Sequence, residues 1–314
     1  MSPKSILTCL AAVGFALASP MASLGAGTTS NGCVSVGSWV DPSSGERWHD
    51  VMSALSSRDV VLLGETHDEA EHHRWQLHTL AVLHDRRPDL VIGFEMFPRQ
   101  AQPVLDRWVA GELDEKGFLQ EVGWEEVWKF DADLYLPLFH FARMHRVKML
   151  ALNVERTKIR RIAEEGLTSL PQTERHGIGE PAPPSAAYLE RLFEAFESHW
   201  NGNNVPAKDS EEFKRFVEAQ LFWDRAMAEA IAAARHGDDK PLVVGIMGQG
   251  HVEYGHGVAH QLSALGVTNV AAALPWDVSA DCGKLAAGIA DAVFGIAPPK
   301  TGNAEAARDS SARD

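Results

Sequence analysis

The sequence predicts an α/β fold: a mainly parallel central sheet with helices on both faces and a large helical insertion between the third and fourth strands. Three observations carry this. Short apolar runs rich in β-branched residues end in Gly or in a polar residue, as buried parallel strands do. Stretches with apolar residues at helical spacing alternate with them, which indicates parallel strands joined by right-handed crossovers. One long segment, residues 156–240, contains no strand pattern at all.

The elements follow in order. Residues 60–63 (VVLL) form the first strand and stop at Gly64. Residues 69–83 place Trp75, Leu77, Leu80, Val82 and Leu83 at helical spacing. Residues 90–94 form a second strand that runs into Glu95. Pro98 starts a helical stretch carrying Val104, Leu105, Trp108 and Val109. Residues 131–145 are a further helical stretch with Pro137 near its start. A third strand at 148–152 ends at Asn153, a fourth at 242–247 ends at Gly248, and a fifth spans 268–274. Inside the insertion, a turn-rich linker at 177–185 precedes helical segments at 187–200 and 211–235. No internal repeat is present.

Both ends differ from this domain, which spans 33–297. Lys4, the apolar run 6–18 and the small residues of 22–26 read as a signal peptide over 1–26, hence an exported, periplasmic protein. The segment before Cys33 lacks the apolar residue that a lipidation box needs, so no lipid anchor is expected. Cleavage would remove Cys9 and leave Cys33 and Cys282, which an oxidising compartment would leave either as one disulfide or as two separate thiols. Residues 298–314 read as a polar, disordered tail. Across 314 residues, 43 acidic against 29 basic side chains give a net charge of −14. Such a surface disfavours nucleic acid and anionic membranes, both of which select clustered cations. With 45% hydrophobic and 23% charged residues, the composition is that of a globular domain, without a transmembrane segment in the mature chain.

Polar residues collect where the strands end. Glu65 and His67 follow the first strand, Glu95 the second, Asn153 the third and His251 the fourth. The carboxyl ends of parallel strands share one edge of the sheet, where ligands bind. Two of these sites repeat the form Gly-x-x-His, as Gly64–His67 and Gly248–His251. Imidazole and carboxylate together suit two tasks. His67, Glu95 and His251 could ligate a divalent metal such as zinc or manganese, and Glu65 and Glu95 could serve a hydrolase as acid and base.

The motifs VVLLGETHD (60–68), GFEMF (93–97), ALN (151–153), AQLFWDRAMA (219–228) and MGQGHVEYGHGV (247–258) resemble, in this order, the ChaN family. That family belongs to the haem-binding-uptake, Tiki-like superfamily, with TraB-like and erythromycin-esterase-like members. The resemblance implies a haem- or iron-binding protein of bacterial iron uptake, with haem held at a homodimer interface through Tyr and assisted by His, and connected to an outer-membrane haem-uptake system. The alternative it implies, from the protease branch, is a metal-dependent hydrolase using the paired Gly-x-x-His motifs and Glu. Haem-contacting residues expected on this chain are His67, His251, Asn153 and one Tyr. Of the three tyrosines, Tyr135 precedes the third strand, Tyr254 follows His251, and Tyr188 opens an insertion helix; Tyr135 and Tyr254 are the candidates. His72 could face the site, Asp68 could orient His67 or cap the helix that begins there, and Asp224 could reach the rim. Trp223 reads as core packing and Arg99 as a surface cation.

Overall fold

The computed structural model describes residues 33–200 and 204–298. The signal-peptide reading (1–26) and nearly all of the disordered-tail reading (298–314) lie outside them. Among the described residues no helix is long and apolar enough to cross a membrane.

The chain forms an α/β structure around a seven-stranded sheet. Its strands are β1 (Trp39–Val40), β2 (Val60–Glu65), β3 (Val91–Pro98), β4 (Met149–Asn153), β5 (Val243–Gly248), β6 (Val270–Asp277) and β7 (Ala292–Ile296), in the spatial order β1-β7-β6-β2-β5-β3-β4. Every pairing is parallel except that of β1 with β7. The helices are α1 (Val51–Ser56), α2 (Ala70–Arg86), α3 (Gln102–Ala110), α4 (Glu115–Val122), α5 (Trp124–Val127), α6 (Leu136–His145), α7 (Arg156–Glu165), α8 (Ala186–His199), α9 (Glu211–Ala234) and α10 (Val258–Ala264).

The alternation of each strand sorts its side chains between two cores. Val61, Leu63, Ile92, Phe94, Val244 and Ile246 pack with α2, α3, α4 and α6 through Trp75, Leu105, Trp108, Phe118 and Phe139. Val60, Leu62, Val243, Met247 and Leu274 face the other way, onto Met227 and Ile231 of α9 and Val258 and Leu262 of α10. Helices therefore cover both faces. The insertion is α7 to α9, capped where Ser185 and Ser210 accept the N–H groups of Tyr188 and Phe213.

The order of the strands creates a crevice. From β2 the chain crosses through α2 to β3 on one side, and from adjacent β5 it crosses through α10 to β6 on the other. Connections leaving neighbouring strands in opposite directions open a cleft at their carboxyl ends. The register sets Glu65, the last residue of β2, opposite Gly248, the last of β5.

Two strands (β1 and β7) and four helices (α1, α4, α5 and α7) were not legible. β1 and β7 are short, and Gly295 interrupts the apolar run of β7. α4 and α5 fall in residues 111–130, which show no clear periodic pattern. β3 also runs past Glu95 to Pro98, so the expected helix starts later, after a 3-10 turn at Arg99–Ala101. At the β4 edge Gln102 pairs with the strand backbone: its amide donates to Met149 O (2.8 Å) and its oxygen accepts Ala151 N–H (2.9 Å).

Cys33 and Cys282 are free thiols rather than a disulfide, but they are neighbours: Cys33 N–H points at Cys282 Sγ, 2.9 Å away. Burial, then the second thiol, pushes the Cys33 pKa up. Oxidised glutathione should join them, because closing so long a loop restricts the unfolded chain by about 5 kcal/mol in the chain-entropy account. Thermal unfolding of the oxidised and reduced protein checks this; equal midpoints, or two titratable thiols after oxidation, would refute it.

Candidate functional site

The carboxyl edge holds two histidine–carboxylate pairs facing one another across Gly248. The first is built on the β2 end. Glu65 is buried on the α2/α6 side, and its Oε1 lies 3.0 Å from His67 Nδ1 and accepts the Tyr135 hydroxyl at 2.8 Å. His73 sits 3.3 Å from the other oxygen, and its Nε2 donates to His67 O at 3.0 Å. His72 does not face the site; its Nδ1 accepts the Thr66 N–H at 2.8 Å. Burial, then neighbouring His73, lowers its pKa to about 4, which keeps it a neutral acceptor. Asp68 is exposed. The turn after β2 is thus tied down at Glu65, Thr66 and His67.

The second pair belongs to β3, β5 and the insertion. The β3–β4 register shifts between Phe94 and Pro98, directly at Glu95, and such an irregularity re-aims side chains. Asn153 holds this bend by donating from Nδ2 to Glu95 O at 2.9 Å. Glu95 Oε2 accepts Gly248 N–H at 2.7 Å, and Oε1 lies 3.5 Å from His251 Nε2. His251 Nδ1 lies 2.6 Å from Asp224 Oδ1, and Asp224 Oδ2 accepts the Tyr188 hydroxyl at 2.7 Å. Gln220, one turn before Asp224 on α9, reaches the same ring nitrogen (3.0 Å). Gly257 permits this approach, since a Cβ there would lie 2.5 Å from His251 O and 3.0 Å from Asp224 Oδ1.

Electrostatics distinguish the two imidazoles. Burial opposes charge on His251, but Glu95, Asp224 and their hydrogen bonds outweigh it and push its pKa up to about 10. Glu95 is correspondingly held below the usual carboxylate range: burial would raise it, and the His251 charge overrides burial. The contacts on both sides favour the charged form of His251, while burial raises the Asp224 carboxyl against the pull of the His251 charge. Burial also works against the His67 cation, and the Glu65 hydrogen bond and the Glu95 charge raise its pKa nonetheless. Its side chain keeps 28% exposure, and its Nε2 makes no hydrogen bond among the described residues. A Cβ on Gly248 would come within 3.2 Å of that nitrogen, so glycine keeps the space between the two pairs open.

The expected residues thus separate into those that meet and those that do not. Glu65, His67, Glu95, Asn153 and His251 converge. For the metal set His67, Glu95 and His251 the structure gives no support: among the described residues no three His, Cys, Asp or Glu side chains are grouped to hold an ion. Both His251 nitrogens face carboxylates, so neither offers a lone pair. Tyr135 is near the rim but fully buried beneath it, and burial, then the Glu65 charge, pushes its pKa far up. Tyr254 lies under the Arg191 guanidinium (4.6 Å) and lines a different hollow, with Trp48, His260 and Asp291. Arg99 donates to Ala226 O and His176 O, bracing α9.

Sequence reasoning missed the aromatic walls. Trp128 and Phe130 follow α5 and stand 4.7 and 5.1 Å from the His67 ring, and Trp223 stands 5.1 Å from that of His251. The available signal was the four-residue spacing of Trp124 and Trp128. Trp223, read as core packing, is only partly buried and lines a 220 Å³ slot beside the rim together with Trp128.

Replacing Tyr135 by Phe removes the hydroxyl's hydrogen bond to buried Glu65 (2.8 Å) and its weaker contact with the His67 carbonyl (3.2 Å), and no side chain at the rim surface. We expect a loss of about 1–3 kcal/mol in stability, read by denaturant unfolding, with haem affinity changed little. Loss of the haem spectrum with stability intact would instead make Tyr135 the iron ligand.

Residues 51–262 match the family described as haem-binding uptake, Tiki superfamily, ChaN. The chain belongs to the ChaN family. Among solved structures, the ChaN protein of Campylobacter jejuni, described with cofacially bound haem, is similar in fold, with a TM-score of 0.62 at 20% identity over 82% of this chain and 95% of that one. An erythromycin esterase variant in its open conformation gives 0.44 at 11% identity over 76% of each chain. RRSP, a toxin effector domain from Vibrio vulnificus, gives 0.38 at 18% identity over 67% of this chain and 33% of that one. No protein of curated function matches the sequence. The ChaN-family segment includes both Gly-x-x-His turns, the β3 bend at Glu95 and the α9 helix that carries Asp224.

Proposed function

We propose that this protein binds haem at the carboxyl edge of the sheet, with His67 as the side chain presented to the iron. The carrying observation is that His67 alone among the rim groups is both accessible and free at one nitrogen, while its other nitrogen is fixed by Glu65. A carboxylate behind an imidazole fixes its tautomer and makes it a stronger donor. The donor set fits the group: an imidazole on iron is an ordinary axial ligand, and Trp128 and Phe130 supply apolar surface around it. Family membership supports the same ligand. Haem bound there would supply iron and a large apolar face. The chain's own residues would orient it and exclude water. We place the protein in iron uptake, exported to the periplasm, where it would act as a homodimer with an outer-membrane haem-uptake system. Adding hemin to the purified protein tests the reading: a saturable Soret shift supports it, and an unchanged free-hemin spectrum ends it.

The two opposed histidine–carboxylate pairs favour a second reading, hydrolysis by direct proton transfer. His67 Nε2 would take the proton of a water in the space kept open by Gly248, with Glu65 behind it as positioning residue and Glu95 and imidazolium His251 as the charged wall opposite. Ester or peptide turnover that disappears in His67→Ala while hemin leaves the spectrum unchanged would select this reading.

A further inference from the structure

The slot beside the rim has its own chemistry. Its walls are the indoles of Trp128 and Trp223, and Met96, Pro98, Val127 and Val154 complete its apolar lining. Trp128 touches His67 and Trp223 touches His251, so the slot opens next to both imidazoles. At 220 Å³ it is too small for a whole porphyrin and large enough for one edge of a flat ring.

Three charged side chains also line the slot. Glu155 is already engaged, by Lys158 Nζ at 2.9 Å and Gln100 Nε2 at 2.7 Å. Glu126 is exposed. Arg156, the first residue of α7, is exposed and makes no ion pair among the described residues, and Thr157 places a hydroxyl-bearing residue beside it. Arg156 thus stands as an uncommitted cation at an apolar slot, in a chain whose net charge is −14. Guanidinium binds carboxylate in a planar, two-point geometry.

We propose that the slot between Trp128 and Trp223 takes one edge of the porphyrin and that Arg156 pairs there with a propionate. The inference rests on the haem reading for its ligand class, but not on iron ligation by His67. Selectivity would then come from the periphery of the ring: dicarboxylate porphyrins bind well, and esterified ones poorly.

The test uses metal-free protoporphyrin IX and its dimethyl ester as probes, with tryptophan quenching as readout, and hemin titrations in parallel. The wild-type protein should bind the acid roughly tenfold more tightly than the ester, the worth of one charge-assisted contact. Arg156→Gln should remove that preference by weakening the acid alone, and Arg156→Lys should restore part of it. A preference unchanged in Arg156→Gln overturns the proposal, as does equal weakening of acid and ester, which would mark Arg156 as mere packing. Hemin binding without any porphyrin quenching would overturn the slot and leave the haem reading standing. An Arg156-dependent preference with no hemin Soret shift would support the slot and remove His67 as ligand.

Discussion

Replacing His67 by Ala should abolish the hemin spectrum, with affinity reduced about 100-fold or more, while the fold survives because the side chain is partly exposed. Glu65→Gln should cost less, roughly 10–100-fold, as removal of a carboxylate behind a ligating imidazole does. The pH dependence follows from the same contacts. Iron and proton compete for Nε2, and the folded protein raises the His67 pKa above its ordinary 6.5. Haem affinity should therefore fall as pH drops, with a midpoint above 6.5. In Glu65→Gln the midpoint should move down, because a neutral amide no longer favours the cation. Absorption titrations across pH measure both. A His67→Ala protein that keeps the wild-type spectrum would remove His67 from the iron.

The largest stability loss is expected at Asp224. Its carboxylate is fully buried between His251 and Tyr188, so Asp224→Ala leaves an imidazolium facing a cavity and a hydroxyl without an acceptor. Breaking a buried pair by removing one partner costs about 3–5 kcal/mol, or roughly 10 °C in melting temperature for a domain of this size. Asp224→Asn keeps the volume and isolates the charge. The folded pKa of His251, about 10, lies above its ordinary 6.5. Stability from the protonated ring is therefore complete below 6.5 and is lost as pH rises through 10. Wild-type melting temperature should decline over that window, and Asp224→Asn should flatten the decline by lowering the His251 pKa. Identical slopes in the two proteins would show that His251 is not held as a cation by Asp224.

Much of the site was legible because its residues follow apolar strands. The runs before Glu65, Glu95, Asn153 and His251 fix where each chain segment leaves the sheet, and a parallel sheet then brings the four together. What lay deeper depends on distances that no local pattern encodes. Asp224 could be expected near the rim, but its partner Gln220 sits mid-helix at a spacing that resembles that of any polar pair, and only the packing of α9 over β5 aims both at His251. Tyr135 carries the composition of a ligand and the position of a support: the helix that holds it packs beneath the rim, so its hydroxyl meets Glu65 from below. The Trp128 and Phe130 walls follow a short helix after Gly123, a turn too brief for periodicity to declare. β1, two residues long, is likewise too brief to show a pattern, and Gly295 interrupts that of β7.

Gln102 has a bearing on how copies of this chain can meet. An open strand edge is a template on which a second molecule can extend the sheet. At β4 the side chain of Gln102 already occupies a carbonyl and an amide of that edge, in the way a neighbouring strand would. At the far side the sheet closes on β1, two residues long and tied back through Val40 to Arg47. Among the described residues neither border offers the run of free peptide groups that continuous pairing needs. Self-association should therefore leave the β-sheet amide signals of the single chain unshifted, and a haem-bridged dimer would have to be assembled from side-chain surfaces and the ligand itself.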